Sequence, residues 1–294
     1  KEDPRDFALW KGTKPGEVSW ESPWGPGRPG WHIECSAMST CCLGDTFDIH
    51  GGGPDLPFPH HENEIAQSEA ATGKKYVNYW MHAGAVRVDD EKMSKSLGNF
   101  FTIREVLKKY HPEVIRYFLL SSHYRSPINY SEDNLIEAKS GLERFYTALR
   151  PFADVPAASL SDLKHNQYYQ RFVASMDDDF NSREALGVMY DLVRDINTVA
   201  KTDKEKAHTL VAALKAMGAV FDILGADPEA FMQGASVLGS SNGLSADDIE
   251  ALISERAEAK NNRDFGRADG IREELLSQGV VLEDSREGTT WRKE

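Results

Sequence analysis

His50-Gly-Gly-Gly-Pro-Asp-Leu-Pro-Phe-Pro-His-His-Glu-Asn-Glu64 is the stretch on which the reading of this chain turns. Residues 45–50 read as a short strand. Three glycines follow, letting backbone approach something bulky, and Asp55 lies on the same loop. Pro59 suits the position ahead of a helix start. From His60 the spacing of Ile65, Ala66 and Ala70 predicts a helix over 60–72, closed by Gly73. There His60 and Glu64 stand one turn apart on one face, so an imidazole and a carboxylate can reach one metal ion. Upstream, Gly30-Trp-His-Ile-Glu-Cys35 offers a soft thiolate. Three protein donors with an open position is the pattern of a catalytic or substrate-binding zinc. The plainer alternative is a chance His-x-x-x-Glu pair beside a cysteine that packs as a small hydrophobe. His32, His50, His61 and His82 crowd the same region, which suits outer partners of a metal or a polar recognition pocket.

Outward from this stretch, residues 30–43 read as a helix with Ile33, Ala37 and Met38 as its apolar face. Residues 76–88 read as a buried strand ending in a turn at Asp89-Asp90. Strand–helix–strand order predicts a parallel sheet with ligands at the strand C-termini. Next comes Lys92-Met-Ser-Lys-Ser96, two ammonium groups and two hydroxyls on one loop. This is either a solvated basic turn or, after a strand of an α/β unit, a phosphate-binding loop. Over residues 92–116 six basic side chains face Glu105 and Glu113 only, so a polyanion is expected there. The first 29 residues are rich in Pro and Gly around Trp10, Trp20 and Trp24, with a strand expected near 7–11.

From Thr102, a capping box with Glu105 predicts a helix to 109, and Pro112 opens another carrying Val114, Ile115, Phe118 and Leu119. Helical patterns then run over 135–149, 168–176, 182–200 and 204–224, which describe a bundle. Residues 225–243 read as a linker around a short helix. Helices over 246–260 and 265–278 and strands at 280–282 and 289–291 form a last unit. The chain has 294 residues, 40% hydrophobic and 28% charged, ordinary for a soluble globular protein of two or three domains. No apolar run is long enough to span a bilayer. Three cysteines, two of them adjacent, do not make a disulfide framework, so a cytoplasmic setting is expected. A net charge of −13 argues against indiscriminate nucleic-acid binding.

Four blocks together carry a resemblance: Gly30-Trp-His-Ile-Glu-Cys-Ser-Ala-Met38, His50-Gly-Gly-Gly-Pro-Asp-Leu56, Phe58-Pro-His-His-Glu-Asn-Glu64 and Lys92-Met-Ser-Lys-Ser96. Tyr117-Phe-Leu-Leu, Asn129-Tyr-Ser-Glu and Leu282-Glu-Asp284 with Gly288-Thr-Thr-Trp291 extend it along the chain. The sequence resembles cysteinyl-tRNA synthetases, which are class I aminoacyl-tRNA synthetases. The resemblance implies an α/β then mostly α chain. It would comprise the second half of a Rossmann-like parallel-sheet catalytic domain (1–100), a stem-contact-like segment (101–130), a helical bundle (131–226), a linker (227–244) and a small α+β anticodon-binding domain (245–294). It implies Cys35, His60 and Glu64 as ligands of one Zn2+. Lys95, assisted by Lys92, would act on ATP, which enters as substrate with Mg2+, and Asp55, Gly52 and Gly53 would line the ATP site. Trp31, His50 and His82 would wall the cysteine pocket, and Phe265, Asp269, Arg272 and Asp284 would read the anticodon. The partners implied are L-cysteine, ATP and tRNA(Cys), with no membrane and a monomeric state.

One departure stands out. The family's His-Ile-Gly-His-type ATP motif is not in the sequence, nor is a cysteine ahead of Cys35. The stretch is therefore expected to be a fragment, inactive alone in adenylation, and to aggregate through a sheet edge near Ile33 and Ile49. The rival readings are a cysteine ligase acting on an amino-sugar and, for the fragment alone, a non-catalytic zinc- or RNA-binding module.

Overall fold

A hairpin, two helices and a pair of parallel strands make up the first of two compact units, residues 1–86 with 125–128. The computed structural model describes residues 2–88, 102–234, 244–285 and 288–293, and the backbone of 91–92. Strands β1 (Trp10–Gly12) and β2 (Gly27–Pro29) pair antiparallel, Trp10 opposite Pro29. A single strand was expected near residues 7–11. The hairpin escapes sequence reading because three-residue strands set among Pro and Gly carry no period. A Cβ at Gly30 would lie 1.8 Å from the Ala8 carbonyl oxygen, so only glycine allows the Gly30 N–H to reach Leu9 O at 2.7 Å.

Helix α1 (Ile33–Leu43) leads to β3 (Phe47–Gly52), a wide turn over Pro57–His61, α2 (Glu62–Thr72) and β4 (Val77–His82). Strands β3 and β4 pair in parallel, from Phe47 opposite Val77 to Gly52 opposite His82, as the strand–helix–strand order implies. Gly73 takes the left-handed conformation (φ 68°) that closes α2. The core of the unit is Phe47, Tyr76 and Val77, with Ile65 and Trp80 packed against it. The expected apolar face of α1 is corrected: Ile33 and Met38 are exposed, and the buried position is Ser36. A polar seam replaces it, in which Ser68 Oγ and Gln67 Nε2 each donate to Ser36 Oγ at 2.7 Å.

The second unit spans residues 87–124 and 129–294. It holds β5 (Val86–Val88, its first residue in the other unit), antiparallel to β6 (Glu91–Lys92), then α3 (Ile103–Val106), α4 (Pro112–Leu120) and β7 (Ile128–Tyr130, its first residue likewise in the other unit). The Thr102–Glu105 capping box forms, yet α3 stops at Val106 because the following turn tightens, Lys109 N–H bonding Val106 O at 3.0 Å. The bundle follows: α5 (Glu132–Leu149), α6 (Gln167–Asp177), α7 (Ser182–Val199), α8 (Lys204–Val220) and the short α9 (Pro228–Met232). Leu135, Leu142 and Leu149 of α5, Met189, Leu192 and Ile196 of α7, and Val211, Leu214 and Met217 of α8 are fully buried. These are the seven-, four- and three-residue spacings of a helical stripe. Helix α8 ends four residues before the expected 224, since Asp222 and Leu224 take positive φ. The last part packs α10 (Ala246–Asn261) and α11 (Phe265–Ser277) on the antiparallel pair β8 (Val280–Asp284) and β9 (Thr289–Lys293). Its core centres on Ile249, Ile271, Leu275 and Trp291.

Candidate active and metal site

The parallel pair delivers His50 and the glycines from β3, and Trp80 and His82 from β4, to one end of unit 1. This is the C-terminal end of both strands, where α/β sheets take ligands. The wide turn and α2 bring His60, His61, Asn63 and Glu64 to the same place. His61 N–H reaches back five residues to Leu56 O at 3.0 Å. A Cβ at Gly52 would lie 2.7 Å from Leu56 Cδ1 and 3.0 Å from the His61 ring, so glycine there admits the imidazole.

Glu64 is buried, 4% exposed, and its Oε2 has no hydrogen-bond partner. His50 Nε2 stands 3.4 Å from that oxygen, within ion-pair range but out of hydrogen-bonding alignment. A buried carboxylate oxygen without a partner costs several kcal/mol unless a cation or proton meets it, on the order of ~2–7 for lesser polar groups. Among the described residues, the ligand atoms of His50, His61 and Glu64 lie within 4.8 Å of one another. His61 Nδ1 is 2.9 Å from His82 Nε2, and the His50 ring stacks on Trp80 at 4.9 Å. His32 Nε2 is 3.1 Å from His60 Nδ1, with the Asn63 amide 3.5 Å from the His32 ring.

Burial, and then the neighbouring imidazoles, lower the His61 pKa to about 4, and burial lowers that of His32. Both rings are therefore neutral near pH 7, the form that donates a lone pair to a metal. Burial pushes the Cys35 thiol up, and the adjacent Glu64 carboxylate adds to the shift. The donor set is thus one carboxylate, imidazoles that include the neutral His61, and a thiol that a cation would ionise, a set that fits zinc.

Glu64 falls in the cluster as the sequence suggests. His60 Nδ1 meets His32 Nε2, and His61 lies with Glu64 in the three-residue group. Cys35 borders Glu64 without joining the three-residue group. His50 and His82 lie in the cluster, while Trp31 is 76% exposed. Trp80 escaped sequence reading. Its signal is the period of two that places Trp80 and His82 on one face of β4. Gly52 ends β3, Gly53 follows it, and Asp55 is exposed beyond them. Lys95 and the side chain of Lys92 lie outside the described residues. In α11, Phe265, Asp269 and Arg272 are exposed while Ala268, Ile271 and Leu275 are buried, so the three share the outer face. Asp284 accepts a two-pronged contact from Arg256 at 2.8 and 2.8 Å, Thr289 Oγ1 at 2.7 Å and Lys260 Nζ at 3.3 Å.

Residues 1–140 match the catalytic domain of class I (C) tRNA synthetases, residues 171–225 the DALR domain, and residues 242–292 the anticodon-binding domain of cysteinyl-tRNA ligase. In that order these are domains of cysteinyl-tRNA synthetases, and the chain is similar to that family over nearly its whole length. It is 62% identical to a cysteine–tRNA ligase of Stutzerimonas stutzeri and 63% identical to one of Chromohalobacter salexigens, each over 99% of the chain. One from Pseudomonas aeruginosa is 58% identical. The chain spans about three fifths of the length of these relatives, 61% of the first. A solved LeuRS–tRNA–LeuAMS complex of Agrobacterium radiobacter K84 aligns with a TM-score of 0.51 at 16% identity, covering 69% of this chain and 32% of that one. That likeness concerns the fold alone. No described helix is long and apolar enough to cross a membrane.

Proposed function

We propose that this chain is the part of a cysteine–tRNA ligase that selects cysteine at a zinc ion, steadies the pyrophosphate end of ATP and reads tRNA(Cys). The observation that carries the reading is Glu64: a buried carboxylate with an unpartnered oxygen, among imidazoles and beside Cys35. When bound there, zinc supplies a preference for a thiolate over a hydroxyl, which separates cysteine from serine where shape alone discriminates poorly. The proposed ligands are Cys35, His60 and Glu64. Glu64 also belongs to the His50–His61–Glu64 group, so it is the residue that either ligand set requires. His50, His82 and Trp80 close one side of the pocket, with Trp31 as an exposed flap at its rim.

The proposed reaction begins with attack of the cysteine carboxylate on the α-phosphate of Mg-ATP, with release of pyrophosphate. The tRNA's terminal ribose hydroxyl then attacks the acyl carbon of the cysteinyl-adenylate, forming the ester, losing the hydroxyl proton and releasing AMP. Gly52 and Gly53, with Asp55, offer close backbone and a carboxylate to the nucleotide. Lys95, assisted by Lys92, holds the negative charge that grows on the leaving pyrophosphate. Phe265, Asp269 and Arg272, exposed along one face of α11, meet the anticodon, and Asp284 shapes that surface through its pair with Arg256. The protein acts as a cytoplasmic monomer. The match of residues 242–292 to a cysteinyl-tRNA ligase anticodon-binding domain favours tRNA over an amino-sugar acceptor. The test is cysteine-dependent ATP–pyrophosphate exchange and tRNA(Cys) charging by the protein. Lys95→Ala should slow exchange and leave cysteine binding nearly unchanged, whereas an equal loss of cysteine binding would make the loop structural.

A further inference from the structure

A cavity of about 500 Å3 opens in the second unit, lined by residues of α4, α5, α9 and β9 and by the 109–111 turn. Lys109, Lys139 and Lys293 line it from three distant parts of the sequence, against one lining carboxylate among the described residues, Glu132. In a chain of net charge −13, that local balance runs against the average. Lys109 Nζ is 3.7 Å from Glu132, which also accepts the Tyr110 hydroxyl at 2.8 Å. Lys139 Nζ is 3.6 Å from Glu143 and donates to the Lys293 carbonyl at 3.2 Å. Lys293 Nζ reaches the Leu244 carbonyl at 3.5 Å. An ammonium carries three N–H donors, and these contacts are long, so each lysine retains donors for a ligand.

The aromatic groups narrow the ligand class. Phe231 is buried and stacks on Tyr146 at 4.0 Å. His111 meets Phe231 edge-on and accepts the Glu113 N–H at Nδ1. Phe231, buried and stacked, therefore offers no open ring face to a base. Three lysines lining one cavity beside apolar Val114 and Ile136 suit a phosphate with its sugar.

We propose that this cavity grips a backbone phosphate of bound RNA through Lys109, Lys139 and Lys293. The inference rests on the reading of the chain as tRNA-binding. Such a contact positions RNA without reading bases, and each neutralised phosphate contributes about one unit to the salt dependence of binding.

The experiment measures tRNA(Cys) and non-cognate tRNA binding over a range of salt concentrations for the protein, Lys139→Ala and Lys293→Ala. Lys139→Arg keeps the charge, and Lys204→Ala removes an exposed lysine at the start of α8. Each cavity substitution to Ala should weaken both tRNAs about 3- to 10-fold and lower the salt slope by about one. Lys139→Arg and Lys204→Ala should bind as the parent does. If Lys139→Ala fails to fold, Lys109→Ala, at an exposed position, carries the same expectation. Unchanged affinity and slope in the Ala variants overturns the site. So does a loss confined to tRNA(Cys), or an equal loss in Lys204→Ala. A parent protein that binds no tRNA overturns the tRNA reading, and this site with it.

Discussion

Glu64 lies where a carboxylate costs most, enclosed and with one oxygen unmatched. Glu64→Ala should lower zinc affinity by about one to two orders of magnitude, read as metal retained after dialysis against a chelator of graded strength. Zinc held as tightly as in the parent would remove Glu64 from the ligands. Gly52→Ala places a methyl 2.7 Å from Leu56 Cδ1 and 3.0 Å from His61. Because it moves the ring, it should weaken zinc by about tenfold if His61 supports the site. Unaltered retention would show that His61 is dispensable. At this scale the sequence announced that imidazoles, a thiol and a carboxylate converge, though not which imidazole faces which partner. That choice is made by the wide turn at Pro57–His61, whose five-residue reach leaves no mark in residue spacing.

Among elements, α4 is tied to the end of the bundle through one side chain. Glu113 accepts the N–H groups of Leu224, Gly225 and Ala226 at 2.8, 3.1 and 3.3 Å and the Tyr146 hydroxyl at 2.6 Å. Leu224 holds a positive φ of 63°, part of a turn in which three successive donors converge on one anion. Burial first, then the Glu113 carboxylate, raises the Tyr146 phenol well above its ordinary range. Glu113→Ala should cost about 3 kcal/mol, measured by urea unfolding, while a loss below about 0.5 would show that water replaces the carboxylate.

In the last unit, Arg256 above all, and then Thr289, hold Asp284 well below the usual carboxylate range. The folded state therefore favours the ionised form. The resulting stability is present above the unfolded value of about 3.9 and is lost as pH falls toward the depressed folded value. The melting temperature should fall on acidification below about pH 4, and less steeply in Asp284→Asn. Identical acid sensitivity in that variant would assign the effect to other carboxylates. Periods of 3.6 and capping residues made these helices legible, whereas the Glu113 anchor was not, since it joins residues 111 to 113 positions apart.

For the molecule as a whole, the strand–helix–strand order and the long helical stripes were readable because burial imposes a period on them. The β1–β2 hairpin and the exposed face of α1 were not, because Ile33 and Met38 satisfy the helical rule yet lie in the open. Everything proposed for catalysis depends on one claim, that the Glu64 cluster holds zinc and that this zinc receives the cysteine thiolate. Zinc K-edge absorption spectroscopy of the protein, with and without L-cysteine, tests it most directly. The expected result is one zinc per chain and one added sulfur ligand with L-cysteine that L-serine does not produce. A metal-free protein, or a zinc shell that cysteine leaves unchanged, would contradict it.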